Sequence, residues 1–402
     1  MIYSYSTDRT FPDVEAFLSD YLTGSSASRL DSRLDALSTL GEELSSRSTA
    51  VKYPDLVALG FFLRRRRLER LVSQVTAEEN GRVRVARGLI FHVPPANVDA
   101  VFAYSWAISF LIGNRNIVRV SERCQEGARF LLRCIAEVLE DNAAQHGQSF
   151  ISFERNIHTV QAISGVADLR VLWGGDETVT SLKLVPSGPR CRDLVFSDRH
   201  SWAAISASSF CAADDASREK VVGSLLSDAL WSSQLACSSP RAIAVTGDPI
   251  KVEEARKLLI EEFSKSPSVI EHAKDARLRM DRLVGLTSSL MSRRVGAGSE
   301  VVPGITFLEP ADYLSIDRDF RGTGTFTFVS APSLIHLLPM ITLRDQTLVY
   351  FGYTKEELKM FASRSGTSGI DRIVPFGSAL EFDEVWDGED LLTEFSRLVT
   401  VR

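Results

Sequence analysis

Leu89 to Val120 reads LIFHVPPANVDAVFAYSWAISFLIGNRNIVRV. Leu89–Val93 has the look of a short strand, and Pro94-Pro95 closes it. Asn97 to Leu111 is apolar at helical length, with Asn97 at the helix opening, where asparagine is a favoured cap. A turn at Gly113-Asn114 follows, and Asn116–Val120 is a second short, buried strand. Strand, turn, helix and strand in that order predict a parallel sheet with helices on its faces, an α/β fold.

The same rhythm extends outward. Glu126 to Glu140 is amphipathic at helical spacing, and Phe150–Phe153 and Leu169–Trp173 are strand-like. Another strand pattern runs from Phe196 to Ile205. The helix Ala216 to Trp231, the strand Ala242–Thr246 and the helix Val252 to Phe263 then begin a second α/β unit. Val301 to Tyr350 is rich in β-branched and aromatic residues and reads as strands. From Gly369 the chain returns as strand and turn, with a short helix after Asp387-Gly388. Upstream, Val83–Gly88 is strand-like. Residues 10–80 read mostly as helices, over Phe11–Leu22, Asp31–Leu44 and Tyr53–Val75. The expected organisation is a helical segment plus a nucleotide-binding domain over 1–205, a second domain over 206–368, and a return segment over 369–402. A length of 402 residues is too great for one ordinary domain.

Composition excludes several classes. Hydrophobic content of 44% with 24% charged residues is that of a soluble globular protein. A net charge of -6 offers no polybasic surface for nucleic acid, and Arg64-Arg65-Arg66-Arg67 reads as a solvated helix face. The most apolar stretch, Val98 to Val118, carries Asp99, Ser105, Asn114 and Arg115, too polar for a membrane span. The amino terminus lacks a basic, then apolar, leader pattern, so a cytoplasmic location is expected. Five scattered cysteines form neither a disulfide framework nor a metal pattern. The six histidines include no HExxH, so no metal site is expected.

Four features carry chemistry. Asn97 either caps its helix or aims its amide at a developing oxyanion, a donor worth about 3–4 kcal/mol in a transition state. After the strand ending at Arg119 comes Val120-Ser121-Glu122-Arg123, at the sheet edge where open α/β folds bind nucleotides. Arg119 and Arg123 can hold a phosphate there, and Ser121 or Glu122 can bond ribose hydroxyls. The plainer alternative is a surface loop with an ion pair. Gly174-Gly175 after Trp173 lets backbone N–H groups approach a phosphate, although most such turns only turn. Finally, Cys237 sits in Trp231-Ser-Ser-Gln-Leu-Ala-Cys-Ser-Ser-Pro240, among small and hydroxyl residues. A cysteine is more often a packed small hydrophobe. As a nucleophile, about 3% of an unperturbed thiol is thiolate at neutral pH, enough to attack a thioester. Cys124, Cys134, Cys191 and Cys211 are expected to pack.

In this order and spacing the four features resemble the aldehyde dehydrogenase superfamily, and within it the LuxC-type fatty acyl-CoA reductases. Trp173-Gly-Gly-Asp-Glu-Thr, Gln234-Leu-Ala-Cys-Ser-Ser-Pro, and Asp371-Arg-Ile-Val-Pro-Phe-Gly-Ser-Ala-Leu-Glu-Phe-Asp with Val385-Trp-Asp-Gly carry the closer likeness, from about Val83 onward. The resemblance implies an aldehyde-dehydrogenase-like α/β fold, with a Rossmann-type cofactor domain and a second α/β catalytic domain. It implies Cys237 as nucleophile, with Asn97 and the Cys237 N–H as the oxyanion hole. It further implies cofactor contacts from Arg119, Ser121, Glu122, Gly174 and Gly175. Arg119 stands where the superfamily has lysine and suits the 2′-phosphate of NADPH. Glu122 favours a bare ribose diol, which keeps NADH as the alternative. Hydrolytic members carry a glutamate that activates water. The best register places Phe196 there, with Asp198 and His200 near enough to be alternative bases. Reduction of an acyl thioester, acyl-CoA above all, is therefore the expected activity. An aldehyde-oxidising dehydrogenase and a non-catalytic nucleotide-binding subunit are the alternatives. The resemblance also implies a homo-oligomer, and acyl-transferase or acyl-protein synthetase partners.

Overall fold

The structure is a computed structural model. It describes residues 1–24, 28–53, 56–77, 81–95, 100–122, 124–154, 156–231, 233–292, 296, 299–312, 316–319, 322–366 and 369–402. The chain forms two units, residues 1–198 with 381–402, and residues 199–380.

The first unit is built on β1 (Ile2–Ser4), β2 (Arg9–Phe11), β3 (Arg82–Ala86), β4 (Leu89–Val93), β5 (Arg115–Arg119), β6 (Gln148–Phe153), β7 (Leu169–Trp173) and β8 (Arg192–Phe196). Seven of these make one sheet in the order β2-β1-β6-β5-β4-β7-β8. The five strands β6-β5-β4-β7-β8 are parallel. Counted from β4 as strand one, their order is 3-2-1-4-5, the doubly wound order of dinucleotide-binding sheets. Strands β4, β6 and β7 are buried along their whole length, so they show no alternation of buried and exposed positions. The helix Val101–Ile112 is buried around nearly its whole circumference and ends at Gly113, which adopts φ +102°. The helix Glu126–Asp141 buries only Ala128, Leu131, Leu132, Ile135, Val138, Leu139 and their neighbours on one face.

His92 of β4 is enclosed in this core. Its ring lies 2.5 Å from Ser105 Oγ and 2.9 Å from Asn116 Oδ1. Asn116 donates in turn to Gln148 Oε1, which also accepts from the Trp106 indole. Burial pushes the imidazole down to about 4, so His92 is neutral and serves the packing.

Three expectations are corrected here. The helix expected over Phe11–Leu22 begins only at Val14: Phe11 belongs to β2, which forms a hairpin with β1, and β1 pairs antiparallel with β6. The helix expected over Tyr53–Val75 is two helices, Val57–Phe62 and Arg65–Thr76. The chain breaks between them so that Phe62 can face Tyr104 and Arg67 can reach Asp383. The Arg64–Arg67 run is accordingly more than a solvated face: Arg67 holds the returning carboxyl-terminal segment at 3.0 Å, and Arg65 pairs with Asp35 and Glu69.

The second unit contains β9 (His200–Ser206), β10 (Pro240–Thr246), β11 (Glu300–Val302), β12 (Ile305–Leu308), β13 (Thr325–Ala331), β14 (Asp345–Phe351) and β15 (Arg372–Pro375). Their order is β11-β12-β13-β10-β9-β14-β15, and all but β11 run parallel. Successive residues of β9 enter opposite cores, as strand geometry requires. Ala203 and Ile205 pack with Leu225, Leu259 and Phe263 of the helices Asp215–Leu230 and Pro249–Lys265. Trp202 and Ala204 pack with Leu337, Leu348 and Phe361.

The single strand pattern expected over Phe196–Ile205 is two strands of different sheets, β8 and β9, separated by residues 197–199. The boundary therefore falls between Asp198 and Arg199 rather than at 205/206, because β9 pairs with both β10 and β14 in the middle of the second sheet. The expected return segment also divides. Residues up to 380 stay with the second unit, where β15 pairs with β14, and 381–402 rejoin the first. There Phe382 stacks on Tyr104 at 4.5 Å. A hairpin of β16 (Val385–Trp386) and β17 (Glu389–Asp390) turns at Asp387-Gly388, both with positive φ as a type I′ turn demands. Last comes β18 (Ser396–Thr400), antiparallel to β3. Among the described residues no helix is long and apolar enough to cross a membrane.

Candidate active site

In the first sheet the chain runs from β4 out to β6 on one side, then crosses to β7 and β8 on the other. The reversal leaves a crevice at the carboxyl ends of β4 and β7, where such sheets bind nucleotides. Two expected cofactor segments reach this edge. Arg119 is the last residue of β5, and its guanidinium lies over the Phe153 ring at 4.9 Å, which holds the cation at the rim. Ser121 is half-buried and Glu122 exposed just beyond it. Gly174 and Gly175 follow β7. Since β5 and β7 flank β4, the two segments stand two strand spacings apart, about 10 Å.

Gly174 adopts φ +155°, and a Cβ there would come within 3.3 Å of Thr178. Its N–H donates to Phe196 O at 3.1 Å. A Cβ on Gly175 would meet nothing within 4 Å, so this turn offers open space to a ligand backbone. Gly175 caps the helix Asp176–Lys183, whose first turn already carries Asp176 and Glu177. Those carboxylates complement the helix dipole themselves, so the turn supplies room and N–H groups rather than net positive charge. Among the described residues of these two segments, the cation is Arg119. Asn97 and Arg123 lie outside the described residues.

Cys237 belongs to the second unit, on the loop that joins the helix Asp215–Leu230 to the amino end of β10. It is half-buried. The helix is closed by Ser233 N–H donating to Leu230 O and Gln234 N–H to Ala229 O, both at 3.0 Å. Ser233 and Gln234 take φ of 51° and 55°, a left-handed conformation that non-glycine residues adopt only under constraint. The constraint is visible in the bonds. Gln234 is fully buried, and its amide donates to Pro240 O and Thr325 O and accepts from Gly324 N–H. Thr323 Oγ1 donates to Ser233 O, and Arg241 donates to Gln234 O. At the far end Ser239 Oγ donates to Asp228 O, while the buried Asp228 carboxylate accepts from the Gly377 and Ala379 N–H groups. Ser201 Oγ donates to the carbonyl of Cys237 itself at 2.6 Å.

Cys191 and Cys211 are half-buried as Cys237 is. Cys124 and Cys134 are buried, and burial pushes the Cys134 thiol up to about 11. Burial likewise raises Cys191 and Cys211, which disfavours the thiolate at all three.

The alternative bases fall into place as follows. Phe196 is buried at the end of β8 with its ring stacked on Trp173, centroids 3.9 Å apart, and hydrocarbon cannot take a proton. His200 is buried, and its Nδ1 lies 3.1 Å from Asp345 Oδ1. Burial lowers its basicity against the pull of Asp345, so it is committed to a structural network. That network converges on Asp345, which accepts from Arg318, from the Trp202 indole and from Thr342 N–H. Asp198 is exposed, and its N–H donates to Asp176. Sequence reasoning missed Ser201, because a serine within a strand run carries no signal of its partner.

Two parallel α/β sheets, one in dinucleotide-binding order and one bearing a cysteine loop, define an aldehyde dehydrogenase-type fold. Solved structures show the same. A putative aldehyde dehydrogenase from Burkholderia cenocepacia superposes with TM-score 0.68 at 13% identity, covering 100% of this chain and 95% of that one. Aldehyde dehydrogenase 21 from Physcomitrella patens, in complex with the reaction product succinate, gives 0.66 at 9% identity over 96% and 88%. A proline utilization A (PutA) variant from Bradyrhizobium japonicum gives 0.68 at 14% identity. It is matched over 99% of this chain, which spans 46% of the length of that larger protein. No curated protein sequence matches the chain significantly. The sequence model of the acyl-CoA reductase (LuxC) family matches residues 69–398, and the chain belongs to that family.

Proposed function

We propose that the protein reduces an acyl thioester, acyl-CoA in the first place, to the aldehyde through a thioester on Cys237. The observation that carries this reading is the half-buried Cys237, on a loop bonded from both sides, within the residues matched by the acyl-CoA reductase family. The Cys237 thiolate attacks the thioester carbonyl and forms a C–S bond. The tetrahedral adduct expels the CoA thiolate, which takes a proton from solvent. On the register that aligns Phe196 with the glutamate expected in hydrolytic relatives, a phenyl ring would take that place and activate no water, so the acyl-enzyme would survive for reduction. The site at the carboxyl edge of the first sheet fits a nicotinamide dinucleotide, given the open space at Gly175 and the rim cation Arg119. In its reduced form that cofactor supplies hydride. Ser121 and Glu122 would bond the adenosine ribose, and Arg119 the 2′-phosphate, which makes NADPH the preferred form. Asn97 and the Cys237 N–H would hold the oxyanion of the resulting hemithioacetal. Its collapse breaks the C–S bond, returns the thiolate and releases the aldehyde.

Incubation with acyl-CoA in the absence of cofactor, followed by mass spectrometry of the Cys237 peptide, tests the reading. A mass increase of one acyl group on Cys237 is expected. An unmodified cysteine, together with full reductase activity in Cys237→Ala, would refute it.

A further inference from the structure

The loop that presents Cys237 is held by two side chains that lie outside the chemistry. We propose that Gln234 and Ser201 are positioning residues for Cys237, acting through its backbone; the inference rests on the acyl-enzyme reading above. The side-chain amide of Gln234 is fully enclosed. It has three partners, the carbonyl oxygens of Pro240 (3.1 Å) and Thr325 (3.3 Å) and the N–H of Gly324 (2.7 Å). Two acceptors and one donor admit a single orientation of a carboxamide, with the NH2 toward the carbonyls. A glutamate of the same shape would set an anionic oxygen against two carbonyl oxygens. The loop's amino end is thereby tied to β10, at Pro240, and to β13, at Thr325. Because Ser233 and Gln234 are in the left-handed region, the chain would leave this path if the tie were cut.

Ser201 secures the other coordinate. Its hydroxyl donates to Cys237 O at 2.6 Å and accepts from Thr347 N–H at 3.3 Å. Through it the Cys237 peptide is bonded to β9 and β14. Strands β14, β9, β10 and β13 are consecutive neighbours in the sheet, so the backbone of one residue is referred to the four central strands of the second unit. Both side chains are wholly buried. Attack on a carbonyl needs the sulfur within about 3–3.5 Å and in line with the acceptor orbital, and a shift of about 1 Å costs on the order of a hundredfold in rate.

The test compares full-length wild type with Gln234→Glu and Ser201→Ala by quenched-flow mass spectrometry of Cys237 acylation by acyl-CoA, without cofactor. Three controls accompany it: iodoacetamide alkylation of Cys237 against pH, NADPH affinity, and the melting temperature. Acylation is expected to slow about a hundredfold in Gln234→Glu and about tenfold in Ser201→Ala. The midpoint of the alkylation profile and the NADPH affinity should stay at wild-type values, since a small iodoacetamide needs no aligned carbonyl. Acylation within twofold of wild type in both variants would overturn the proposal. So would a loss shared equally by acylation, alkylation and NADPH binding, which is the signature of a fold that has loosened as a whole. If wild type itself is not acylated while it alkylates normally, the acyl-enzyme reading fails, and this inference fails with it.

Discussion

Asp345→Asn replaces one oxygen by NH2 at a heavily bonded carboxylate of the second unit. Asp345 is fully buried and accepts from Arg318 Nε and Nη2 (3.1 and 2.6 Å to Oδ2), Trp202 Nε1 (2.8 Å), Thr342 N–H (2.7 Å) and His200. Arg318 itself is nearly buried, so the variant leaves a guanidinium without its counter-charge and turns an NH2 toward groups that are mostly donors. Breaking a buried ion pair from one side costs about 3–5 kcal/mol. For a unit of this size about 2–4 °C of melting temperature accompanies each kcal/mol, so a fall of roughly 6–20 °C is expected by calorimetry. The acid limb provides a second readout. Burial alone would raise this carboxyl, but the bonds and charges of His200 and Arg318 hold it well below the usual carboxylate range. A depressed folded value contributes stability that is present above the unfolded value near 3.9 and is lost as pH falls below it. Wild type should therefore lose stability steadily below about pH 4, and Asp345→Asn should lose less over the same interval. A variant that melts within 2 °C of wild type and keeps the same acid slope would refute the account of Asp345 as the hub of this edge.

Further expectations follow from the other sites. Arg119→Ala should raise KM for NADPH about tenfold or more while leaving KM for NADH nearly unchanged, measured as initial rates with acyl-CoA. Equal effects on both cofactors would remove Arg119 from the 2′-phosphate. Gly60→Ala should destabilise the first unit by about 1–3 kcal/mol in urea titration, because the new Cβ would lie 2.5 Å from Ser45 Oγ and 3.1 Å from Gly41 O, where two helices touch. Phe382→Ala, which removes the ring stacked on Tyr104 and set edge-on to Phe62, should cost about 3–5 kcal/mol and make Arg67 more accessible to limited modification.

How much of this was legible beforehand varies with the physics behind each element. The strand Leu89–Val93 and the helix Glu126–Asp141 stand in the sequence because burial on two faces and on one face leave different periodicities. Strand order leaves no such trace, so the 3-2-1-4-5 arrangement emerged only with the structure. The β1–β2 hairpin escaped because three-residue strands next to a helical pattern are too short to show a period. The break between β8 and β9 was hidden by apolar residues on both sides of it, which join two sheets into one apparent run. In the candidate site, the small residues around Cys237 and the glutamine three positions before it were visible. The left-handed turn at Gln234 and the bond from Ser201, 36 residues earlier, depend on tertiary contacts and were not.

The interruption of the first unit by residues 199–380 has a consequence for the order of folding. The second unit is contiguous, so it can complete its sheet without any contribution from residues 381–402. The first unit cannot finish in the same way. Its β3 waits for β18, with Arg84 and Ser396 separated by 312 positions, and Tyr104 waits for Phe382. The entropic cost of closing so long a loop grows only logarithmically with its length, yet the closure has to come last. Folding chains should therefore pass through a state in which the cysteine-bearing unit is formed while the first unit lacks β18, and protection from proteolysis should appear in that order.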